Sequence, residues 1–455
     1  MPVPTSVVVS VGWEDSPSGI FVLDGSELDS ADVLAGLGAD QFTGAYDDVS
    51  ADVAQGPRIK IGRDTALANF DASSCEFTLQ RPGSPDFYNP NAVAGQSPLA
   101  GLVPGFEPMR PVRVRATVDA TTTTVWYGYV RSASWDSTTQ VCSIQAEDLF
   151  LWLSRVRPTY TAADITAAGV TTAATAIGFI LTESGFTNTS LRDLGESGKP
   201  GITMTLAEQP DPDKTALQLI AEVLEADRGA FWVQGGVATY RARTYRYERS
   251  SIATVQSEAL RIGSGLDLDR IVNRQTVTRT GGTAQREDDF ASQQRYGLAD
   301  GSAIESGYLS SDTDAQALAT FILRSTARPA PPISLTIDND TTTNLTRQIA
   351  WKVQDRITAP VAYAEFVFGG DSNPAAWPNS VFGGSSGFAG TQDYHIERIE
   401  QDWSLGGNYV ETVYTLSRRG DEFARFGYTS PATSTGGMRF GETDAALESS
   451  AVFGY

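Results

Sequence analysis

Arg58-Ile59-Lys60-Ile61-Gly62-Arg63, followed by Cys75-Glu76-Phe77-Thr78-Leu79, alternates polar and apolar side chains. A period of two is what a strand with one buried face requires. The same alternation returns in Val112-Arg113-Val114-Arg115-Ala116, in Val125-Trp126-Tyr127-Gly128-Tyr129-Val130 and in Val141-Cys142-Ser143-Ile144-Gln145-Ala146. Five such strands with turns between them predict a small barrel or sandwich. Upstream, Val7 to Val11, a turn at Asp15-Ser16-Pro17 and then Ile20 to Leu23 predict a strand pair. Between the second and third alternating strands lies a Pro/Gly/Asn-rich stretch, Arg81 to Pro108. It is too long for a hairpin and reads as an interaction loop.

The pattern changes after Asp148-Leu149-Phe150-Leu151-Trp152. Residues 161–184 and 213–227 have helical spacing, and in the second Leu217, Ile220, Val223 and Leu224 share a face. Asp211 or Asp213 is the expected cap, with a stop at Arg228-Gly229. Phe231-Trp232-Val233 and Val237 to Tyr240 predict a hairpin around Gly235-Gly236. A strand at Ile271–Val277 follows, then a helix over Asp312–Ser325 with Ala315, Leu318, Ala319 and Ile322 on one face. Strands return at Ile333–Ile337, Asp355–Thr358, Tyr394–Ile399 and Val410–Leu416. The expected class is mainly β with α+β, two small antiparallel β-barrels flanking a mixed α+β middle. The expected divisions are 1–152 (N-terminal strands and first barrel), 153–247 (small α+β domain) and 248–330 (connecting α/β segment). After them come 331–427 (second barrel, with a loop insertion at 369–390) and 428–455 (a polar C-terminal arm).

With 455 residues, the chain is long enough for two to four cores. It is 41% hydrophobic and 20% charged, with 43 Gly and 22 Pro, a composition that fits folded, turn-rich β structure. A formal charge of −21 argues against nucleic-acid wrapping or binding to anionic membrane. It suits a surface past which DNA slides, although acidity is also a common route to solubility. Cys75 and Cys142, the two cysteines, lack the spacing of a metal site or a disulfide framework and read as buried strand residues. Met1-Pro2-Val3-Pro4 carries no secretory pattern, and no apolar run reaches the ~18 residues of a membrane span.

Catalytic parts are scarce. The single histidine, His395, sits in an alternating strand, and no Gly-x-Ser-x-Gly elbow occurs. Without a second histidine a zinc-peptidase ligand set is missing. Carboxylate-pair chemistry needs two acids that can be far apart in sequence, so Glu107 and Glu183 stand as possible acids among 55, solvated surface being the default. Gly235-Gly236 and Gly281-Gly282 read as turns and not as phosphate cradles. Asn188-Thr189-Ser190 and Asn344-Leu345-Thr346 match a sequon with no secretory context. No catalytic, cofactor-binding or metal-ligating residue is assigned, and no enzyme activity is expected.

Two blocks of motifs carry a resemblance. The first is Asp47-Asp48-Val49-Ser50 with Ile59-Lys60-Ile61-Gly62-Arg63, then Phe87-Tyr88-Asn89-Pro90-Asn91, Ser97-Pro98-Leu99 and Tyr127-Gly128-Tyr129-Val130. The second is Asp269-Arg270-Ile271-Val272-Asn273 with Thr276-Val277-Thr278-Arg279, Ser292 to Gly297, Ala315 to Ala319 and Arg328-Pro329. Their order, over about residues 20–420, resembles the tail-tip hub, or minor tail, proteins of siphophages. That baseplate-hub family is related to the hubs of contractile tails and type VI secretion. The 369–390 insertion and the chain after Tyr428 depart from the pattern.

The resemblance implies a virion protein of the phage tail tip, made in the host cytoplasm, with two barrels side by side. A homotrimer would then offer six barrels to the tail tube or the distal tail protein. It would seat a central fibre or tip protein, lie near the tape measure protein and line the DNA exit channel. No sequence-specific nucleic-acid binding or stable membrane insertion is implied. The interface candidates are Phe87, Tyr88, Asn89, Pro90 and Leu99 in the long loop, Trp377 in the insertion, and Phe440 and Phe453 in the arm. Two other readings stay open: a tail-associated peptidoglycan hydrolase, and a carbohydrate-binding receptor adhesin stacking sugars on Trp126, Trp232, Trp351 or Trp377. Strand context places Trp126 and Trp232 in the core, and Trp377 in Ala375-Ala376-Trp377-Pro378 is the best exposed of the four.

Overall fold

The computed structural model describes residues 6–12, 46–64, 69–83, 88–89, 108–195, 213–243, 245, 250–255, 261–264, 271–327, 333–339, 341–360, 391–404 and 409–418. The opening motif forms two antiparallel strands, β3 (Val53–Gly62) and β4 (Ser74–Leu79), with Ile59 opposite Cys75. They belong to one sheet with β1 (Ser6–Gly12), β2 (Tyr46–Asp48), β5 (Pro111–Val118), β6 (Thr121–Asp136) and β7 (Val141–Glu147), in the order β3-β4-β7-β6-β5-β1-β2. Alternation in sequence becomes alternation in burial: Cys75, Phe77 and Leu79 are covered, while Glu76 is exposed. Residues 125–130 of β6 are buried without alternation, because both faces of this strand are covered.

Two expectations for this block change. Val7–Val11 does form β1, but its described partners are β5 and β2, while Ile20–Leu23 lies outside the described residues. β6 is also longer than its apolar run, extending through Thr121–Thr124 into a hairpin with β5.

The middle is α+β, as predicted. α1 (Leu149–Leu153), α2 (Ala162–Ala167), α3 (Ala173–Glu183) and α4 (Ala216–Asp227) pack with a three-stranded sheet of β8 (Arg192–Gly195), β10 (Val237–Arg241) and β9 (Ala230–Gln234). The 161–184 segment is two helices, each started by a threonine capping box, at Thr161 and at Thr172. The α4 cap is Thr215, whose hydroxyl accepts from the Gln218 N–H while Gln218 reaches back to the Thr215 N–H; neither expected aspartate serves. The predicted stop holds, with Arg228 in the left-handed region.

The connecting segment includes β11 (Ala253–Thr254) and β12 (Arg261–Ser264), which join the large sheet. It also forms β13 (Arg274–Arg279), β14 (Gln285–Asp288), α5 (Phe290–Tyr296), β15 (Ile304–Ser306) and α6 (Asp312–Thr326). Ala315, Leu318, Ala319 and Ile322 of α6 are buried, the face the spacing selects. The last block contains β16 (Ile333–Asp338), α7 (Thr342–Ala350), β17 (Arg356–Pro360), β18 (Thr391–Ser404) and β19 (Tyr409–Arg418).

β3 pairs with β18, so the two β-rich blocks form one sheet of 13 strands, β12-β16-β19-β18 continuing into β3-β4-β7-β6-β5-β1-β2. β17 hydrogen-bonds to β18, and β11 to β17. The protein is mainly β with a mixed α+β middle. No helix among the described residues is long and apolar enough to cross a membrane.

Candidate functional site

β18 is 14 residues long and serves two partners in succession along its length. β17 pairs with residues 391–395 of β18, and β3 with residues 398–402. The changeover coincides with a register shift between Ile396 and Arg398 in the pairing with β19. A bulge re-aims the side chain at such a point, and Glu397 is 1% exposed. Its carboxylate accepts from Arg63 Nε at 2.8 Å, Gln354 Nε2 at 3.0 Å and Ser417 Oγ at 2.5 Å. The Arg63 N–H donates to the Glu397 carbonyl at 2.9 Å. A buried charge pair is tolerated when hydrogen bonds satisfy its remaining sites, and these donors serve that end.

Gly62 lets the strands close over this pair. Its φ is +123°, and a Cβ there would sit 2.2 Å from the Glu397 carbonyl oxygen. Further along the seam Arg58 meets Asp402 at 3.1 Å, but both are largely exposed. Removing this outer pair, as in Arg58→Ala, is expected to change unfolding free energy by less than about 1 kcal/mol in urea titration. A larger loss would mean that the outer seam also holds the blocks together.

The seam reaches the α+β block through aromatic contacts. The Arg63 guanidinium lies 4.6 Å from the centre of the Phe70 ring, and Phe70 packs 5.5 Å from Trp232. Gln234 of β9 donates to the Trp351 carbonyl at 3.2 Å and accepts from the Val353 N–H at 3.1 Å. Trp351 in turn packs against Tyr414, with ring centres 5.3 Å apart. Three segments of sequence therefore meet around one buried ion pair.

A second buried acid holds the first block to α1. Asp148 accepts from the Ser73 N–H (2.9 Å), the Ser73 hydroxyl (2.6 Å) and the Phe150 N–H (2.9 Å). Burial pushes its carboxyl up to about 7 against the pull of those donors. Between the unfolded value near 3.8 and the folded one, the native state holds a proton that the unfolded chain has lost. The contribution is therefore fully present below the unfolded value and is lost as pH rises through about 7. Comparing wild type with Asp148→Asn from pH 4 to 7 should show wild type losing its relative stability by up to about 1.4 kcal/mol per pH unit. A pH-independent difference would contradict the protonated assignment.

Tyr88, one of the expected interface residues, is buried in the chain's own fold. Its hydroxyl donates to Asp52, which also pairs with Arg81 at 2.6 Å. Asn89 is half-buried beside it. Phe87, Pro90, Leu99, Trp377, Phe440 and Phe453 lie outside the described residues, as does Glu107. Trp126, Trp232 and Trp351 are buried, which removes them as sugar-stacking surfaces. His395 is fully buried in β18, Glu183 is exposed, and Cys75 and Cys142 are free and buried. Among the described residues, no group of three or more His, Cys, Asp or Glu is placed to hold a metal ion.

The tail protein from Neisseria meningitidis MC58 is similar over 91% of this chain and 96% of its own, with a TM-score of 0.50 and 12% identity, and shows the shared fold. The 43 kDa tail protein of prophage MuSo2 from Shewanella oneidensis aligns over 90% of this chain and 97% of its own (TM-score 0.48, 11% identity). A prophage tail protein from Listeria monocytogenes EGD-e aligns over 83% and 92% (TM-score 0.42, 9% identity). No family model and no curated protein sequence matches the chain.

Proposed function

We propose that the chain is a structural subunit of a siphophage tail tip, a baseplate hub whose function resides in its interfaces. It forms a trimeric ring that joins the tail tube and distal tail protein to the central fibre or tip protein and lines the DNA exit channel. The observation that carries this reading is the β3–β18 seam, which fuses two β-rich blocks into one sheet. Three chains, each presenting two such blocks, supply six β-rich faces, the number a sixfold tube requires. The fold shared with a tail protein supports the same role. The net charge of −21 suits a channel wall that DNA passes without adhering.

Two measurements on purified virions and purified chain test this reading. Immunogold labelling should place the chain at the tail tip, and a peptidoglycan zymogram should stay uncleared. Clearing abolished by substitution of one carboxylate would replace the structural reading with a hydrolase.

A further inference from the structure

Phe290 and Leu298 are two of the three large hydrophobic side chains exposed among the described residues, at 68% and 55%. Phe290 is the first residue of α5 and Leu298 lies just past its end, and a buried polar clamp fixes this short segment. Asn273, fully buried, donates from Nδ2 to the Gly297 carbonyl at 2.7 Å and accepts at Oδ1 from the Ala299 N–H at 2.8 Å. Gln293 Nε2 donates to the Asn273 carbonyl at 3.0 Å, and the Ser292 hydroxyl donates to the Ala327 carbonyl at 2.5 Å. Exposed apolar groups held this firmly form a preorganised knob, which loses little freedom on binding. Between Phe290 and Ala299 the one charged residue is Arg295, which is exposed and lies over the Tyr296 ring. Asp289 caps α5, and Asp300 faces Arg274 at 3.6 Å.

The same chain carries a complementary hollow. A half-open cleft of about 330 Å³ lies between the first β-block and α4. Phe70, Phe150, Ile220 and Leu224 give it apolar walls, Asp71 and Glu147 are its acidic lining residues, and no lysine, arginine or histidine lines it. Glu147 already pairs with Arg131, so exposed Asp71 is the carboxylate most available to an incoming cation.

We propose that the α5 knob of one copy seats in the cleft of a second copy, with Phe290 against the apolar walls and Arg295 facing Asp71. The contact joins different surfaces of the two copies, the type that closes into a ring when the rotation permits. It deepens the assembly reading above and rests on it.

Cysteine cross-linking of the purified full-length chain tests the contact. Cys75 and Cys142 are fully buried, so they give little background with a short bismaleimide. Gln294→Cys with Asn69→Cys in one chain, at exposed positions beside the α5 knob and the cleft, should give a ladder of covalent oligomers, whereas either variant alone gives none. Phe290→Asp, at an exposed position and with an unchanged melting temperature, should weaken self-association at least about tenfold. Arg295→Glu should do likewise and be rescued by Asp71→Arg. A wild-type chain that stays monomeric, a double variant without a ladder, or association unaffected by Phe290→Asp would overturn the contact. A chain located at the tail tip without the ladder would remove this contact and leave the tail assignment standing; a ladder from a chain missing from virions would do the reverse.

Discussion

Glu397→Ala is expected to lower the unfolding free energy by about 3–5 kcal/mol, the usual effect of removing one member of a buried ion pair. The loss exceeds one hydrogen bond because Arg63, 4% exposed, would keep a charge in a dry site from which its carboxylate has gone. Gln354 and Ser417 would lose their acceptor as well. Urea titration followed by tryptophan fluorescence gives the value, with Trp403 of β18 a buried reporter near the seam. Replacing both charges, as in Arg63→Met with Glu397→Leu, should recover most of the loss, since apolar groups of similar size avoid the desolvation cost. A single-variant loss below about 1 kcal/mol would mean that water reaches the pair in solution.

Gly62→Ala is the second large effect expected. The backbone there is in a region that side chains avoid, and the added methyl would collide with the Glu397 carbonyl. Strain and collision together should cost about 3 kcal/mol or more. The loss should be localised. Hydrogen exchange should accelerate at the Arg63 amide and at the amides of residues 58–62 and 398–402, while the β5–β6 hairpin keeps its protection. Uniform acceleration across the sheet would show that the seam has no separate stability of its own.

Which parts of this fold were legible in sequence follows from where the contrast between buried and exposed side chains lies. Cys75–Leu79 and Val141–Ala146 were readable because one face of each strand is covered and the other is not. Thr121–Thr124 extends β6 with little such contrast, so the strand's true length did not show. α7 was missed because its buried face includes Asn344 and Gln348, two polar residues that an apolar periodicity ignores. Gln348 Nε2 donates to the carbonyls of Ile337 and Val410, partners outside the helix. α5 was missed for the opposite reason, since it is seven residues long and its Phe290 points outward. The Thr215 cap did leave a local signal, Thr-x-x-Gln, and the aspartates upstream drew the reading away from it.

The seam was only half legible. Gly62-Arg63 and Ile396-Glu397-Arg398 each stood within a recognised strand, and nothing local paired residues 334 positions apart. Glu397 also broke the alternation it appeared to continue, because a bulge turns it inward. Among the described residues no group of three or more His, Cys, Asp or Glu is placed to hold a metal ion. Two of the chain's most deeply buried charged groups, Asp148 and Glu397, hold blocks of structure to one another.

Cryo-electron microscopy of the intact tail tip, reconstructed without imposed symmetry, tests the assembly claim most directly. Three copies of this chain are expected in a closed ring at the end of the tube, with the sheet continuous through β3 and β18 in every copy. Six copies in the ring, or density for a lone copy bound to a cleaved cell-wall fragment, would contradict it.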